Sequence, residues 1–509
     1  MLVFKAESVP NKYFYYLYID VQISQYMWDS LRSVYNIRRL MSRFFDPPQA
    51  KPLLPKDKID KVYKSMRFRV FLGAFVGYAA YYLVRKNLSL AAPGMIEEGL
   101  VDKSGVGIAM SAVSIAYAFS KFIMGSVSDR SDARKFLVVG LILSSLAMIG
   151  VGLVPFGVNQ TVNVALIFGF MLLVGWLSGM GWPPCGRVMA YWFSQNERSF
   201  KMSLWNASHT FGSGSLGLLA TFGFFIFGTI GIEQTWRAAF IVPAALALLL
   251  AIFCWWALRD TPQSCGLPPI DEYRNDFSGV KAKEGDEEKL PFKTLFVEYI
   301  FKNKWIWMIA ISNAFVYMVR YGVGDWAPIY LQEMDIMTDK ESNLAFALHN
   351  YAGIPGTIVC GWLSARFFKG RCAPPNIIFM GAVLLGTLVY WQAGNIASIF
   401  AADPAVVTSI TKTLVYFGLI LIGFCIYGPV ALVTVQALNL VPKNAVGTAA
   451  GFVGLSGYAF GSAILANILM GFVAEHAGWN ITFILLCAAS VIAMALCIFT
   501  LPSEKAAGK

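Results

Sequence analysis

Twelve long apolar stretches recur along this chain of 509 residues and decide what it can fold into. As an α-helix, each is long enough to cross the hydrocarbon core of a bilayer, about 30 Å thick. Their approximate bounds are 69–92, 105–128, 136–156, 163–192, 202–228, 236–257, 304–331, 343–366, 376–395, 411–437, 445–473 and 479–501. With 57% hydrophobic and 14% charged residues, the chain has more apolar surface than a soluble core can bury. We therefore predict an all-α polytopic membrane protein.

One polar, proline-containing segment divides the twelve stretches into two sets of six. We predict a cytoplasmic linker at 259–302 between an N-terminal half, 67–258, and a C-terminal half, 303–501, followed by a cytoplasmic tail at 502–509. The first 66 residues contain neither a signal-peptide core nor a spanning stretch. We interpret them as a cytoplasmic segment, and we favour Met41 as the start, which would make residues 1–40 an upstream artefact.

Loop charges predict how the helices are oriented. Cations gather in alternate loops, which form a basic face: Arg130, Arg134, Lys135, Arg198, Lys201, Lys281, Lys283, Lys289, Lys293, Arg366, Lys369 and Arg371. The opposite loops form an acidic face with few cations: Glu97, Glu98, Asp102, Glu333, Asp335 and Asp339. Since cytoplasmic loops are enriched in Lys and Arg, we predict that the basic face and both termini are cytoplasmic. The net charge of +11 is thus a topology signal and not a sign of nucleic-acid binding.

Several function classes receive no support from the sequence. The eight cysteines show no Cys-x-x-Cys spacing, and most lie in apolar runs as packing residues. Neither a metal site nor a cofactor motif is present in the sequence. A membrane enzyme is disfavoured because no acid/base pair or nucleophile motif occurs.

The two halves share short sequence echoes. Tyr82-x-x-Arg85 recurs as Tyr317-x-x-Arg320, 235 positions later. The loop motif that begins at 125 recurs after the eighth stretch at an offset of 236, and the Phe-Gly-Ser of 211–213 recurs at 460–462. Such repeats predict two pseudo-symmetric six-helix bundles related by an axis along the membrane normal, with a substrate site between them at mid-depth.

Each half places one arginine inside an apolar stretch. Arg85 and Arg320 come from equivalent helices, so we expect them to face each other across the central axis. Guanidinium groups stay protonated and present a fork of donors that matches phosphate or carboxylate oxygens. We expect no intramembrane acid nearby, so the counter-charge would be a phosphate-containing cargo. The alternative is that each arginine snorkels to an interface or pairs internally.

Other polar residues accompany the arginines. Lys86 follows Arg85, about 100° around a continuous helix, so we expect only Arg85 to point at the axis. Lys121 is either a charge at the inner mouth or a snorkelling side chain. His209 is either a ligand or a packing residue, and Asn206 shares its face. Tyrosine hydroxyls complete the candidate pathway: Tyr78, Tyr82, Tyr117, Tyr317, Tyr427 and Tyr458.

Longer motifs carry a family resemblance. They are FLGAFVGYAAYYLVRKN (71–87), SIAYAFSKFIMGSVSDRS (114–131), GMGWPPCGR (179–187), RDTPQSCGLPPIDEY (259–273) and YAGIPGTIVCGW (351–362). From about residue 41 to 501 the chain resembles the major facilitator superfamily and, within it, the organophosphate:phosphate antiporters.

The resemblance implies an antiporter of the bacterial inner membrane, and we expect a monomer because the pathway is completed within one chain. It would import glycerol 3-phosphate in exchange for inorganic phosphate as its halves rock in the bilayer. Arg85 and Arg320 would bind the phosphoryl group and His209 would assist. Lys86, Lys121, Asn206 and the six tyrosines would line the pathway. Three residues of the loop motif after the second stretch would take part in gating and conformational change: Asp129, Arg130 and Arg134.

Two departures from the family pattern leave alternatives open. Asn350 stands where a Glu is usual, and Ala365 stands where an Asp is usual. A hexose-6-phosphate or phosphoglycerate carrier is the first alternative, although related hexose-phosphate carriers have charges in helix 11 and residues 447–472 have none. A membrane sensor for a phosphate ester is the second.

Overall fold

A computed structural model describes residues 44–276, 295–441 and 446–506. The predicted start-site segment 1–40 and much of the predicted linker lie outside the described residues. In the N-terminal half the helices are α1 (Lys56–Leu83, continued by Asn87–Glu97), α2 (Lys103–Ser128), α3 (Ala133–Leu153), α4 (Gln160–Ser178, continued by Trp182–Trp192), α5 (Gln195–Thr229) and α6 (Ala238–Ala257).

The C-terminal half repeats this order. Its helices are α7 (Lys304–Gly324, continued by Ala327–Glu333), α8 (Asp339–Phe367), α9 (Ala373–Trp391, continued by Ala393–Phe400), α10 (Pro404–Leu438), α11 (Val446–Leu455, the π-helical segment Ser456–Leu469, and Met470–His476) and α12 (Gly478–Ala506). The predicted all-α architecture of two six-helix bundles is confirmed.

Nine helices within the described ranges are long and apolar enough to cross a membrane by length and composition alone. The three predicted spans outside that group are α1, α2 and α8. They carry polar side chains that are buried inside the protein, such as Ser114 in α2 and Asn343 and Asn350 in α8. In α8 these polar side chains are buried against neighbouring helices.

Four helices predicted as continuous are interrupted, and α9 is one of them, with its break after Trp391. α1 breaks after Leu83, α4 after Ser178 and α7 after Gly324. In α4 and α7 the second segment opens with proline in its first turn, where the missing N–H costs no hydrogen bond. In α1 the side chain of Asn87 donates to the carbonyl of Leu83 at 2.9 Å and so satisfies a group that the break exposes.

The halves meet along two symmetry-related seams. α2 packs along α11, and α5 packs along α8. Glycine allows the close approach: a Cβ on Gly107 would collide with the carbonyl oxygen of Asn467, and one on Gly217 would lie 2.6 Å from that of Asn343. In parallel repeats α2 corresponds to α8 and α5 corresponds to α11. The α2–α11 seam and the α5–α8 seam are therefore equivalent contacts.

The α2–α11 seam is tighter toward the acidic face. There the Lys103 ammonium contacts Glu333 at 2.7 Å, and the second segments of α1 and α7 pack together. Toward the basic face, a Cβ on Gly125 of α2 or on Gly454 of α11 would find no atom within 4 Å. α2 and α11 therefore pack more closely on the acidic side, although the first segment of α11 also contacts α2.

Candidate functional site

Arg85 lies in the break of α1, and 7% of the residue is exposed. Its guanidinium carbon is 3.7 Å from the ring centroid of Tyr117 and 5.2 Å from that of Tyr82. The Tyr82 hydroxyl accepts a hydrogen bond from it at 3.4 Å. Cation–π contacts of this kind contribute about 2 kcal/mol when desolvated, but they leave most guanidinium donors unused.

Arg320 lies within α7, one turn before the break, and 4% of it is exposed. The ring centroids of Tyr427, Tyr321 and Tyr317 are 4.7, 5.1 and 5.6 Å from its guanidinium carbon. Its Nε is buried without a hydrogen-bond partner in the described part of the chain. This arginine is a desolvated cation surrounded by aromatic rings.

Tyr458 of α11 connects the surroundings of the two arginines. Its ring centroid is 4.8 Å from that of Tyr117 in the other half and 5.1 Å from that of Tyr317. The Arg85 guanidinium is 5.7 Å from the same ring. The arginines of the two halves therefore share one aromatic cluster at the interface between the bundles.

No carboxylate lies within 4 Å of either guanidinium among the described residues. An intramembrane acid is nevertheless present, and the expectation of none nearby was wrong. Asp325, at the break of α7, accepts from the Lys86 ammonium at 2.6 Å, and both side chains are 7% exposed. Asp325 neutralises the lysine and leaves both arginines without an ionic partner.

The expectation that only Arg85 points at the axis was also wrong. It assumed a continuous helix, whereas α1 ends at Leu83 and Lys86 is the N-cap residue of the next segment. The broken backbone allows both cations to point inward. Lys86 crosses to the other half and lies 4.5 Å from the Tyr321 ring centroid.

His209 of α5 lies between tyrosines of both halves. Its ring centroid is 5.6 Å from that of Tyr82 and 5.8 Å from that of Tyr427. Its Nδ1 is hydrogen-bonded to the backbone carbonyl of Asn206, so Nδ1 carries the hydrogen. Nε2 can then donate to an anion only when the ring is protonated.

Other predicted lining residues surround this cluster. The ring of Tyr78 packs against those of Tyr82 and Trp205, at 5.5 and 4.8 Å between centroids. Lys121 lies one turn toward the basic face from Tyr117, and its ammonium is 5.4 Å from the Trp182 ring. The structure brings the predicted residues of α1, α2, α5, α7, α10 and α11 to one region, and their contact with substrate stays a prediction.

The predicted gating residues lie at the basic end of the N-terminal half. Asp129 and Arg130 are exposed, and Arg134 is 3.9 Å from Asp132. The better-buried ion pair there is Arg187 with Asp260, whose two hydrogen bonds measure 2.9 and 3.1 Å. Both residues lie in the sequence motifs 179–187 and 259–273, but nothing in the sequence indicated that they pair.

Sequence reasoning also missed polar residues of α8. His349 is buried, and its Nδ1 is 3.0 Å from the carbonyl oxygen of Leu419. Asn350, noted only as a departure from a family pattern, accepts from the Tyr427 hydroxyl at 2.8 Å. A polar residue within an apolar run was the available signal, but it did not indicate which face of α8 points inward.

The arrangement can bind an anion. Two permanent charges, one from each half, stand in a desolvated aromatic region with unused donors and no ionic partner in the described residues. An oxyanion between them would satisfy the donors, and tyrosine hydroxyls are available to complete its coordination. The described residues contain no group of His, Cys, Asp and Glu suited to a metal ion.

Comparisons with known proteins agree with this architecture. Residues 74–466 match the family described as "Major Facilitator Superfamily". The chain is 46% identical over 469 residues to a "Glycerol-3-phosphate transporter" of Bacillus subtilis, covering 92% of this chain and 99% of the relative. It is 42% identical to the protein of that name in Haemophilus influenzae, with coverages of 88% and 94%. A "Probable hexose phosphate transport protein" of Chlamydia muridarum is 33% identical, with coverages of 92% and 97%.

Solved structures show the same fold at low identity. A bacterial homologue of the human lysosomal transporter Spinster, in an inward-facing and unoccupied conformation, aligns with a TM-score of 0.60 at 16% identity, covering 85% of this chain and 94% of that one. A point mutant of the nucleoside transporter NupG aligns with a TM-score of 0.61 at 14% identity, with coverages of 86% and 100%.

Proposed function

The chain belongs to the Major Facilitator Superfamily, and from that premise we propose that it imports glycerol 3-phosphate in exchange for inorganic phosphate by alternating access. The observation that carries the proposal is the pair of buried guanidinium groups, Arg85 and Arg320, with no carboxylate partner in the described residues. Relatives named glycerol-3-phosphate transporters, at 42% and 46% identity over nearly the whole chain, support this ester as the cargo.

Exchange follows from the charge of the cargo. Moving one elementary charge against the membrane potential costs about 2.3 kcal/mol per 100 mV, so import of a lone dianion would be strongly opposed. One-for-one exchange of phosphate-bearing anions cancels most of that cost. The arginine pair also couples loading to movement, because bringing two unpaired guanidinium groups together without an anion is unfavourable.

Orientation and assembly complete the proposal. The basic face, with both termini, is assigned to the cytoplasm of a bacterial cell whose inner membrane holds the protein. In that orientation the acidic, tightly packed side of the α2–α11 seam is periplasmic. The protein acts as a monomer, since residues from both halves of one chain complete the site.

A hexose-phosphate carrier is the second candidate, because a relative at 33% identity bears that name. The absence of charge from residues 447–472 favours the smaller ester. Hexose 6-phosphate and glycerol 3-phosphate offer the arginines the same phosphate group, so the arginines do not distinguish them. A competition assay between the two esters distinguishes the two candidates.

The test is counterflow in proteoliposomes loaded with inorganic phosphate. We expect external labelled glycerol 3-phosphate to enter only when phosphate is inside, and glucose 6-phosphate to compete weakly. R85K and R320K keep the charge but lose the planar fork, and each should lower exchange about 10- to 100-fold. R274K is the matched control, because that side chain is 48% exposed and 3.6 Å from Glu197 on the basic face.

Full exchange by R85K and R320K would refute the assignment of the phosphate to the arginines. A wild-type protein that binds glycerol 3-phosphate without counterflow would be a sensor instead of a carrier.

A further inference from the structure

His349 has one nitrogen that nothing in the described part of the chain uses. The residue is 1% exposed, and its Nδ1 faces the Leu419 carbonyl oxygen at 3.0 Å. A carbonyl oxygen only accepts, so Nδ1 carries the hydrogen. In the neutral ring, Nε2 is then a hydrogen-bond acceptor, and it is buried with no partner among the described residues. Buried polar atoms are nearly always paired, so this one indicates a missing donor.

The position of Nε2 relative to α7 indicates where that donor would come from. A Cβ on Gly324 would lie 3.4 Å from Nε2, so the nitrogen faces the backbone of α7 at that residue. Gly324 is four residues after Arg320 and lies on the same face of the helix. One helical turn rises about 5.4 Å, which is close to the length of a three-carbon alcohol attached to a phosphate held at Arg320.

Neighbouring groups leave His349 as the free acceptor on this turn of α8. The Asn350 side chain is committed at both ends, because its Oδ1 accepts from Tyr427 and its Nδ2 donates to Phe346, each at 2.8 Å. The Tyr427 ring is a neighbour of both groups, with its centroid 4.7 Å from the Arg320 guanidinium carbon and 6.4 Å from the imidazole centroid. His349 therefore adjoins the proposed phosphate position without contacting that arginine.

We propose that His349 is a specificity-determining residue whose Nε2 accepts a hydrogen bond from a hydroxyl on the carbon chain of the phosphate ester. This inference rests on the proposed function and deepens it. A fully ionised phosphate offers only acceptor oxygens, which a neutral acceptor nitrogen does not bind. The group that fits is an alcohol O–H one turn from the phosphate, so the site selects hydroxylated short esters over alkyl phosphates.

Two variants remove the acceptor in different ways. In H349N, the shorter amide can still donate to the Leu419 carbonyl but has no atom at the Nε2 position. In G324A, the added methyl group makes ordinary contact with Nε2 at 3.4 Å and fills the space that a hydroxyl needs. G361A is the matched control, because a Cβ there finds no atom within 4 Å and the position lies far along α8 toward the basic face.

The assay measures how glycerol 3-phosphate and propyl phosphate compete with labelled phosphate for exchange by purified, reconstituted protein. We expect wild type and G361A to prefer glycerol 3-phosphate at least about tenfold, because a site that pairs with a hydroxyl rejects the analogue that lacks it. H349N and G324A should reduce this preference to near unity. Phosphate–phosphate exchange should stay within about twofold of wild type in both, which also reports correct folding.

An unchanged preference in both variants would overturn the inference while leaving the proposed function intact. An equal loss of phosphate–phosphate exchange and ester uptake would also overturn it, because His349 would then support the fold or the anion and not the hydroxyl. If H349N does not fold, the preference of G324A for glycerol 3-phosphate over propyl phosphate alone tests the inference. A wild-type protein that exchanges neither ester for phosphate would instead refute the proposed function.

Discussion

Removing the carboxylate of Asp325 should open the acidic side of the protein. In D325N the Lys86 ammonium loses its partner at 2.6 Å while it stays buried between the halves. Breaking a buried ion pair by removing one partner costs about 3–5 kcal/mol. Each 1.36 kcal/mol corresponds to a factor of ten, so the closed arrangement loses roughly two to four powers of ten in relative population. This free-energy cost arises only while the Lys86 ammonium is buried. Separation of the two halves would expose the ammonium to water and remove the cost.

The populations can be measured by double electron–electron resonance. Spin labels at Val158 and Ile399 report on the two halves, because both residues are highly exposed, 99% and 79%, in segments at the acidic ends of their bundles. Wild type should show mainly the short distance, and D325N should show mainly a longer one. Replacement of the whole pair by apolar residues, in K86M with D325L, should restore the short distance, because no unpaired charge remains.

E333Q provides the matched control on the same face. It removes the partner of Lys103, but the Glu333 side chain is 40% exposed, and such pairs contribute about 0–1 kcal/mol. Its shift in population should therefore be about fivefold or less. Equal shifts in E333Q and D325N, or an unchanged distance distribution in D325N, would refute the view that the buried pair holds the acidic side closed.

Two further predictions concern stability. G356A should destabilise the protein by about 1–3 kcal/mol in a thermal unfolding assay, because its Cβ would collide with the Phe424 carbonyl oxygen, whereas G361A should have no effect. Burial tends to raise the pKa of Glu197, but the hydrogen bond and charge of Arg67, together with the Ser194 N–H and the Arg274 charge, outweigh it and hold that pKa below its usual value. A carboxyl with a depressed pKa stabilises the fold above its unfolded-state pKa and loses that contribution as pH falls through the folded pKa, so wild type should lose thermal stability below about pH 4. E197Q should be less stable than wild type at neutral pH and should lose less on acidification.

The sequence was sufficient for the architecture because its signals are local. Apolar length defines a helix, and an arginine within an apolar run stands out regardless of its neighbours. The repeat of Tyr82-x-x-Arg85 as Tyr317-x-x-Arg320 predicted the two halves without coordinates. The fold subsequently confirmed the two six-helix bundles.

What the sequence did not provide depends on backbone geometry and on contacts between distant segments. The break after Leu83 frees Lys86 to reach Asp325, 239 residues away, and periodicity alone does not show such a break. His349 was missed because the inward face of α8 is defined by its packing against α5 and α10. In each case the decisive partner is distant in sequence.

In the proposed transport cycle, one phosphate bridges Arg85 and Arg320 between the two halves. A cryo-electron microscopy structure with bound glycerol 3-phosphate tests it most directly. We predict phosphate oxygens within charge-assisted hydrogen-bonding distance, about 2.7–2.9 Å, of both guanidinium groups. A phosphate held elsewhere, for example by Lys121 near the basic side, with both arginines still enclosed by tyrosine rings, would contradict the account.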